Sequence, residues 1–277
     1  MRRREGAIQN RFNTHKAPHR LACLGALVLA FAAAACTPVP SSRQDPTAWM
    51  SAEELQSLGD KFLAAGDTGQ ALQYLVTAEK KDSKNPRIHY SLALAYAARR
   101  LPDQAVKHFQ KALELKPDYS EAHNALGAFY AEQGERDKAS EHFQKALANP
   151  FYRTPEKPLY NLGRLMMDQG RYAEAVAYFD EALHFQSAYA EAHLYRARSL
   201  EALGRQAEAR RAYKAAVTYG PQSADAQFHY GRICAAEGRT EEAIAAFRRV
   251  LRLAPGTPLA DAAAVYLRRL EPQGQTP

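Results

Sequence analysis

The chain has 277 residues, 46% hydrophobic and 24% charged, the range of a globular protein with one large domain or two ordinary ones. Its formal charge of +7 suggests a nucleic-acid or membrane partner, but residues 1–35 hold six basic residues against the single acid Glu5, while the other 31 basic and 29 acidic residues nearly cancel. The surplus therefore belongs to the leader, and no nucleic-acid partner is expected.

In chain order, residues 1–35 read as an export signal. A basic stretch ending at Arg20 precedes the apolar run "LACLGALVLAFAAAA", which is shorter than the ~20 residues of a membrane span and has the length of a signal-peptide core. Two readings of its end stay open. Ala33-Ala34-Ala35 suit an ordinary cleavage site, leaving a soluble periplasmic protein with a free N-terminal thiol. The same small residues before Cys36 also resemble the bacterial lipobox, with Ala33 where that motif prefers leucine, and the resemblance implies lipid attachment at Cys36. Residues 36–50, with "TPVPSSRQDPT", read as a flexible tether. Cys23 lies in the signal, and Cys234 sits in an apolar helical pattern that marks a small core residue.

Residues 51–257 repeat with a 34-residue period, the length and pattern of the tetratricopeptide repeat, a helix-turn-helix unit. Leu92, Tyr96, Ala105, Phe109 and Ala112 recur as Leu126, Tyr130, Ala139, Phe143 and Ala146, and the register extends to six units. Small residues such as Gly59, Gly127, Gly163 and Gly231 allow the two helices of a hairpin to approach closely, and Tyr and Phe are expected to fill the space between neighbouring hairpins. Residues 258–277 supply an amphipathic capping helix and a tail, because a stack of such units leaves its last apolar face uncovered. The expected fold is an all-α superhelix of six hairpins and a cap.

One junction breaks step. From Ala78 to Leu92 and from Ala112 to Leu126 is 14 residues, but from Ala146 to Leu162 is 16, and the extra pair falls in "NPFYRTPEKP", whose prolines predict an extended loop. An exported, lipobox-bearing chain of six such repeats with a Tyr- and Pro-bearing junction between the third and fourth resembles the PilF/PilW pilotin family of type IV pilus biogenesis. That resemblance implies an outer-membrane lipoprotein, held at the periplasmic face by its lipid, that binds the pilus secretin subunit and promotes its localisation and multimer assembly. The alternative is another envelope scaffold of the same fold, recruiting cell-wall hydrolases or outer-membrane assembly factors.

In tetratricopeptide folds the first helix of each unit lines the concave face, with its fifth and ninth positions pointing inward. The fifth positions include Tyr90, Asn124 and Tyr160, and the ninth Leu94, Arg164, Arg198 and Arg232. This groove is mixed to apolar at first and then carries three arginines, which suits a peptide with apolar side chains followed by acidic ones. The competing reading has the arginines pairing with carboxylates such as Asp168, Glu191 or Glu201.

No motif supports an enzyme, a cofactor or a small-molecule substrate. His89, His123 and His193 recur at one repeat position, which reads as packing, and no Cys/His cluster has metal-site spacing. Glu53-Glu54 and Glu241-Glu242 fall in first helical turns, where they complement the helix dipole.

Overall fold

A computed structural model describes residues 47–271 of the chain. The signal, Cys36, most of the tether and residues 272–277 lie outside the described residues. Within them are thirteen α-helices and no strand. Six antiparallel pairs follow one another: α1 (Ala52–Ala64) with α2 (Thr68–Lys81), α3 (Pro86–Ala98) with α4 (Pro102–Leu115), α5 (Ser120–Glu132) with α6 (Arg136–Leu147), α7 (Glu156–Asp168) with α8 (Tyr172–Phe185), α9 (Ala190–Ala202) with α10 (Gln206–Tyr219), and α11 (Ala224–Ala236) with α12 (Thr240–Leu253). The single helix α13 (Pro258–Leu270) closes the stack. No helix among the described residues is long and apolar enough to cross a membrane.

Local chemistry sets the helix ends. Ser51 caps α1 in a reciprocal box: its hydroxyl accepts from the Glu54 N–H at 3.1 Å, and the Glu54 carboxylate accepts from the Ser51 N–H at 2.7 Å. Those hydrogen bonds from Ser51 hold the Glu54 carboxyl below its usual range. Pro86, Pro102 and Pro258 open α3, α4 and α13, where a missing N–H costs nothing. Just ahead of α1, Thr47–Met50 form a turn, and the Lys81 ammonium donates to the carbonyls of Thr47, Ala48 and Met50 at 3.2, 2.9 and 2.5 Å. The last residues of the expected tether are thus fastened to the end of α2.

Buried apolar residues form successive clusters along the stack, from Leu55, Leu75 and Leu92 at one end to Phe247, Val250 and Leu267 at the other. The glycines on the first helix of a pair, with no side chain, let rings from the second helix of the same pair come close: a Cβ on Gly163 would lie 2.6 Å from the Phe179 ring, and one on Gly127 2.8 Å from Phe143. In the second and fifth pairs the same places hold Ala93 with Phe109 and Ala197 with Tyr213, all buried. At the turn inside each pair the backbone is left-handed. Gly134 and Gly170 are two of the glycines there, but in the second pair the position is Arg100, with φ 58°. On α13, Ala260, Ala263 and Leu267 are buried, and Tyr266 stacks on Phe247 of α12 with centroids 4.8 Å apart.

Residues 82–85, 116–119, 186–189 and 220–223 join successive pairs elsewhere, whereas 148–155 joins the third to the fourth. Two of its extra residues are the insertion read from the sequence. The other two come from α6, which has 12 residues against 14 in α4 and α8. The helix stops short because Pro150 disfavours a helical Asn149. Asn149 then organises the loop: its side-chain oxygen accepts from the Phe151 N–H at 3.0 Å, and its amide donates to the Ser120 hydroxyl at 3.1 Å.

Candidate partner-binding groove

Successive odd-numbered helices touch one another, α1 to α3, α3 to α5, α5 to α7 and α7 to α9, and the even-numbered ones make no comparable contact among the described residues. The first helices of the pairs therefore form the inner layer of the superhelix; of their fifth and ninth positions, Tyr90 and Leu94 line one cleft and Arg164 another, whereas Leu194 is buried.

At the N-terminal end of this layer Tyr90 and Leu94 line a cleft of about 320 Å³ together with Asp60, Arg87 and Tyr119. Tyr90 packs on Tyr119, with centroids 5.3 Å apart, and on Phe109 at 6.4 Å. Burial, helped by the neighbouring phenols of Tyr119 and Tyr152, pushes the Tyr90 hydroxyl well above its ordinary pKa, and burial pushes Tyr119 up to about 12. Next along the groove, the Asn161 amide donates to Asn124 Oδ1 at 3.1 Å, tying α7 to α5. A second cleft of about 240 Å³ follows, with Ala128, Glu132, Arg164 and Asp168 among its walls.

Tyr160 lies in an aromatic cluster, 5.1 Å from Tyr189, 5.7 Å from Tyr195 and 6.0 Å from Phe179. Burial raises its hydroxyl pKa despite the opposing pull of Arg164. Arg164 is exposed and makes no carboxylate ion pair among the described residues; its guanidinium lies over the rings of Tyr195 and Tyr160, at 5.2 and 5.9 Å.

The other two arginines are committed. Arg198 donates to Asp225 at 2.7 Å, with its guanidinium also over Tyr195. The Asp225 carboxyl is held below its usual range, chiefly by the hydrogen bond from His229 and then by the charge of Arg198. Arg232 donates to Glu201 Oε1 at 2.5 Å while the Tyr213 hydroxyl donates to Oε2 at 2.9 Å, so both carboxylate oxygens are occupied. Among the described residues the expected arginine ladder is thus two ion pairs and one arginine, Arg164, with aromatic but no carboxylate partners; Arg232–Glu201 is one of the pairings the sequence suggests.

The model of the tetratricopeptide repeat matches residues 57–120, 160–218 and 196–258, and a second model of that repeat matches 97–150. The chain belongs to the tetratricopeptide repeat family. No curated protein sequence matches it. Among solved structures, this tetratricopeptide repeat protein is similar to PilF of Pseudomonas aeruginosa, at 23% identity and TM-score 0.71 over 78% of this chain and 97% of PilF. PilW, a widely conserved type IV pilus biogenesis factor, is similar at 25% identity and TM-score 0.69, over 77% of this chain and 98% of PilW. The superhelix is not confined to such proteins. Cut9, in the APC/C hetero-tetramer Cut9–Hcn1, shares the fold at 17% identity and TM-score 0.66, covering 79% of this chain and 43% of its own.

The tetratricopeptide register picked out Tyr90, Leu94, Tyr160 and Arg164 but not the aromatic residues packed beside them. Tyr195 follows the fifth position of its helix, where Leu194 instead turns into the core, and Tyr119 and Tyr189 precede helices, where they recur 70 residues apart. That recurrence was the available signal. Tyr152, on the junction loop, lies near enough to Tyr90 to add to the rise in its hydroxyl pKa. On another face, the junction borders a cleft of about 770 Å³ lined by Leu113, Pro117, His123, Lys145 and the exposed Phe151, among others.

The histidines carry more than packing. His89 Nδ1 faces His108 Nδ1 at 3.2 Å, and the arrangement recurs one repeat later with His123 and His142 at 3.0 Å. In each pair the first ring donates from Nε2 to a backbone carbonyl, of Ser83 at 2.9 Å and of Pro117 at 3.0 Å. Glu79 approaches the first pair, so that Glu79, His89 and His108 each place a ligand atom within 4.8 Å of the others. Burial lowers the pKa of His108, of His123 and of His142, the last to about 4. Of the acidic pairs, Glu242 does more than complement a dipole, because it accepts from the Tyr230 hydroxyl and pairs with Arg239. Cys234 is fully buried, and burial raises its thiol pKa.

Proposed function

We propose that this chain is a pilotin: a lipid-anchored tetratricopeptide-repeat scaffold of the outer membrane that binds a type IV pilus secretin subunit and promotes assembly of its multimer. The observation that carries the reading is the likeness to PilW, which extends over nearly all of PilW and most of this chain at 25% identity. The leader, Cys36 and the enlarged junction between the third and fourth repeats support it through the family resemblance.

The groove supplies the chemistry for a protein partner. Tyr90, Leu94 and Tyr160 offer apolar and aromatic anchors, and Arg164 offers an unpaired cation between them and the C-terminal half. With Arg198 and Arg232 already paired, the groove fits a segment with one carboxylate after its apolar residues better than an acidic run. Deleting the gene in a piliated strain is expected to abolish SDS-resistant secretin multimers and twitching motility. Normal multimers in the deletion strain would overturn the pilotin reading and leave the chain as another envelope scaffold.

A further inference from the structure

We propose that Glu79, His89 and His108 form a binding site for a divalent transition-metal ion of the zinc class, joining the first repeat to the second. The residues come from α2, α3 and α4 in turn, so an ion held by all three would tie the two hairpins together.

The spacing fits a small tetrahedral ion. Zinc held at about 2.0–2.2 Å by nitrogen and oxygen keeps its ligands roughly 3.4 Å apart. His89 Nδ1 lies 3.2 Å from His108 Nδ1 and 3.6 Å from Glu79 Oε1, with all three donor atoms inside 4.8 Å. The His89 ring is oriented in advance. Its Nε2–H donates to the Ser83 carbonyl at 2.9 Å, which leaves the Nδ1 lone pair directed into the cluster, the usual outer-shell arrangement of a metal-bound histidine. The His108 ring is held by stacking on Tyr96, with centroids 5.2 Å apart and planes 22° from parallel. Both histidines are buried and the carboxylate is half-buried.

The same three residues line a cleft of about 490 Å³, which gives an ion an entry path and leaves room for water as a fourth ligand. Lys107 and Lys111 also border this cleft, and Lys111 is neutralised by Glu114 at 3.0 Å. The donor set of two imidazoles and one carboxylate suits zinc, cobalt or nickel better than calcium or magnesium, which take oxygen ligands.

The chain carries its own control. His123 and His142 reproduce the histidine pair and the backbone hydrogen bond, but residue 113, one repeat after Glu79, is leucine. A histidine–histidine hydrogen bond alone accounts for that second pair, and it needs no carboxylate. Among the described residues, only the first pair has a carboxylate oxygen within ligand distance of both rings; Glu141, near the second pair, is instead bound to Lys145 at 2.6 Å.

The test uses the purified, tag-free mature protein titrated with Zn²⁺ by calorimetry, with Co²⁺ absorption as the coordination probe. One equivalent is expected to bind, to raise the melting temperature and to give tetrahedral cobalt bands. Glu79→Gln, at a half-exposed position that leaves the core intact, and His108→Ala are each expected to weaken binding at least tenfold; His142→Ala is expected to leave it unchanged. No stoichiometric binding by the unaltered protein overturns the site. Binding that survives Glu79→Gln combined with His108→Ala, or that is lost in a folded His142→Ala protein, overturns it as well.

Discussion

The guanidinium of Arg164, on α7, lies over the ring of Tyr195, on α9, 5.2 Å from its centroid, and Arg198 covers the same ring at the same distance. Of the three groove arginines only Arg164 lacks a carboxylate partner among the described residues, because Arg198 is bound to Asp225 and Arg232 to Glu201. Arg164→Ala is therefore expected to weaken binding of the purified secretin by about tenfold, near 1.4 kcal/mol. Arg232→Ala should leave affinity nearly unchanged and lower stability instead, since it leaves the Glu201 charge with only the Tyr213 hydroxyl as partner. Biolayer interferometry with both variants separates the effects, and equal losses of affinity would contradict this assignment.

Arg100 holds a left-handed backbone, φ 58°, at a turn where Gly134 and Gly170 stand in later repeats. A side chain there costs about 1–2 kcal/mol, and a glycine in its place gives back part of that as added freedom of the unfolded chain. Arg100→Gly is expected to stabilise the fold by about 0.5–1 kcal/mol. A urea titration would register this as a higher midpoint at unchanged slope.

Gly163 meets the Phe179 ring so closely that an added Cβ would lie 2.6 Å from it. Ala93 and Ala197 hold a methyl at this place in other repeats, but here the buried Phe179 ring must shift to admit one, so Gly163→Ala should destabilise by about 1 kcal/mol. Gly163→Val, which adds a branched chain against the same ring, is expected to destabilise by about 1–3 kcal/mol. Differential scanning calorimetry of both variants tests the ordering.

Burial depresses the pKa of His142 to about 4, with His123 and Lys145 adding to the shift. Below its unfolded value of about 6.5, the unfolded chain takes up a proton that the folded chain refuses. This contribution is therefore complete above pH 6.5, declines as pH falls, and levels off below about 4. The ring is partly exposed, so about 1–2 kcal/mol is expected after solvent screening. His142→Gln should flatten the loss between pH 6.5 and 4 in parallel urea titrations; an unchanged slope would show that His142 does not titrate this way.

Cys36→Ala is expected to move the protein from the membrane fraction to the soluble periplasm. Fractionation followed by immunoblotting reads this directly, and an unchanged distribution would remove the lipid anchor from the proposed function.

The 34-residue period determined the fold by itself, because each hairpin has an apolar face that it cannot bury alone and only stacking satisfies it. The close helix contacts at Gly127 and Gly163 and the cap at α13 were legible for the same reason: they follow from local spacing. The length of the junction was half legible, since the sequence showed two inserted residues and only the folded chain showed α6 ending early before Pro150. What the tertiary structure alone decided was pairing between repeats. Arg164, Arg198 and Arg232 occupy one register position and read alike along the chain, but Asp225 and Glu201 reach two of them from neighbouring elements and leave the third to Tyr195. Glu79 meets His89 and His108 in the same manner, across helices; the repeat carries the histidine pair, which recurs at His123 and His142, but not the carboxylate beside it.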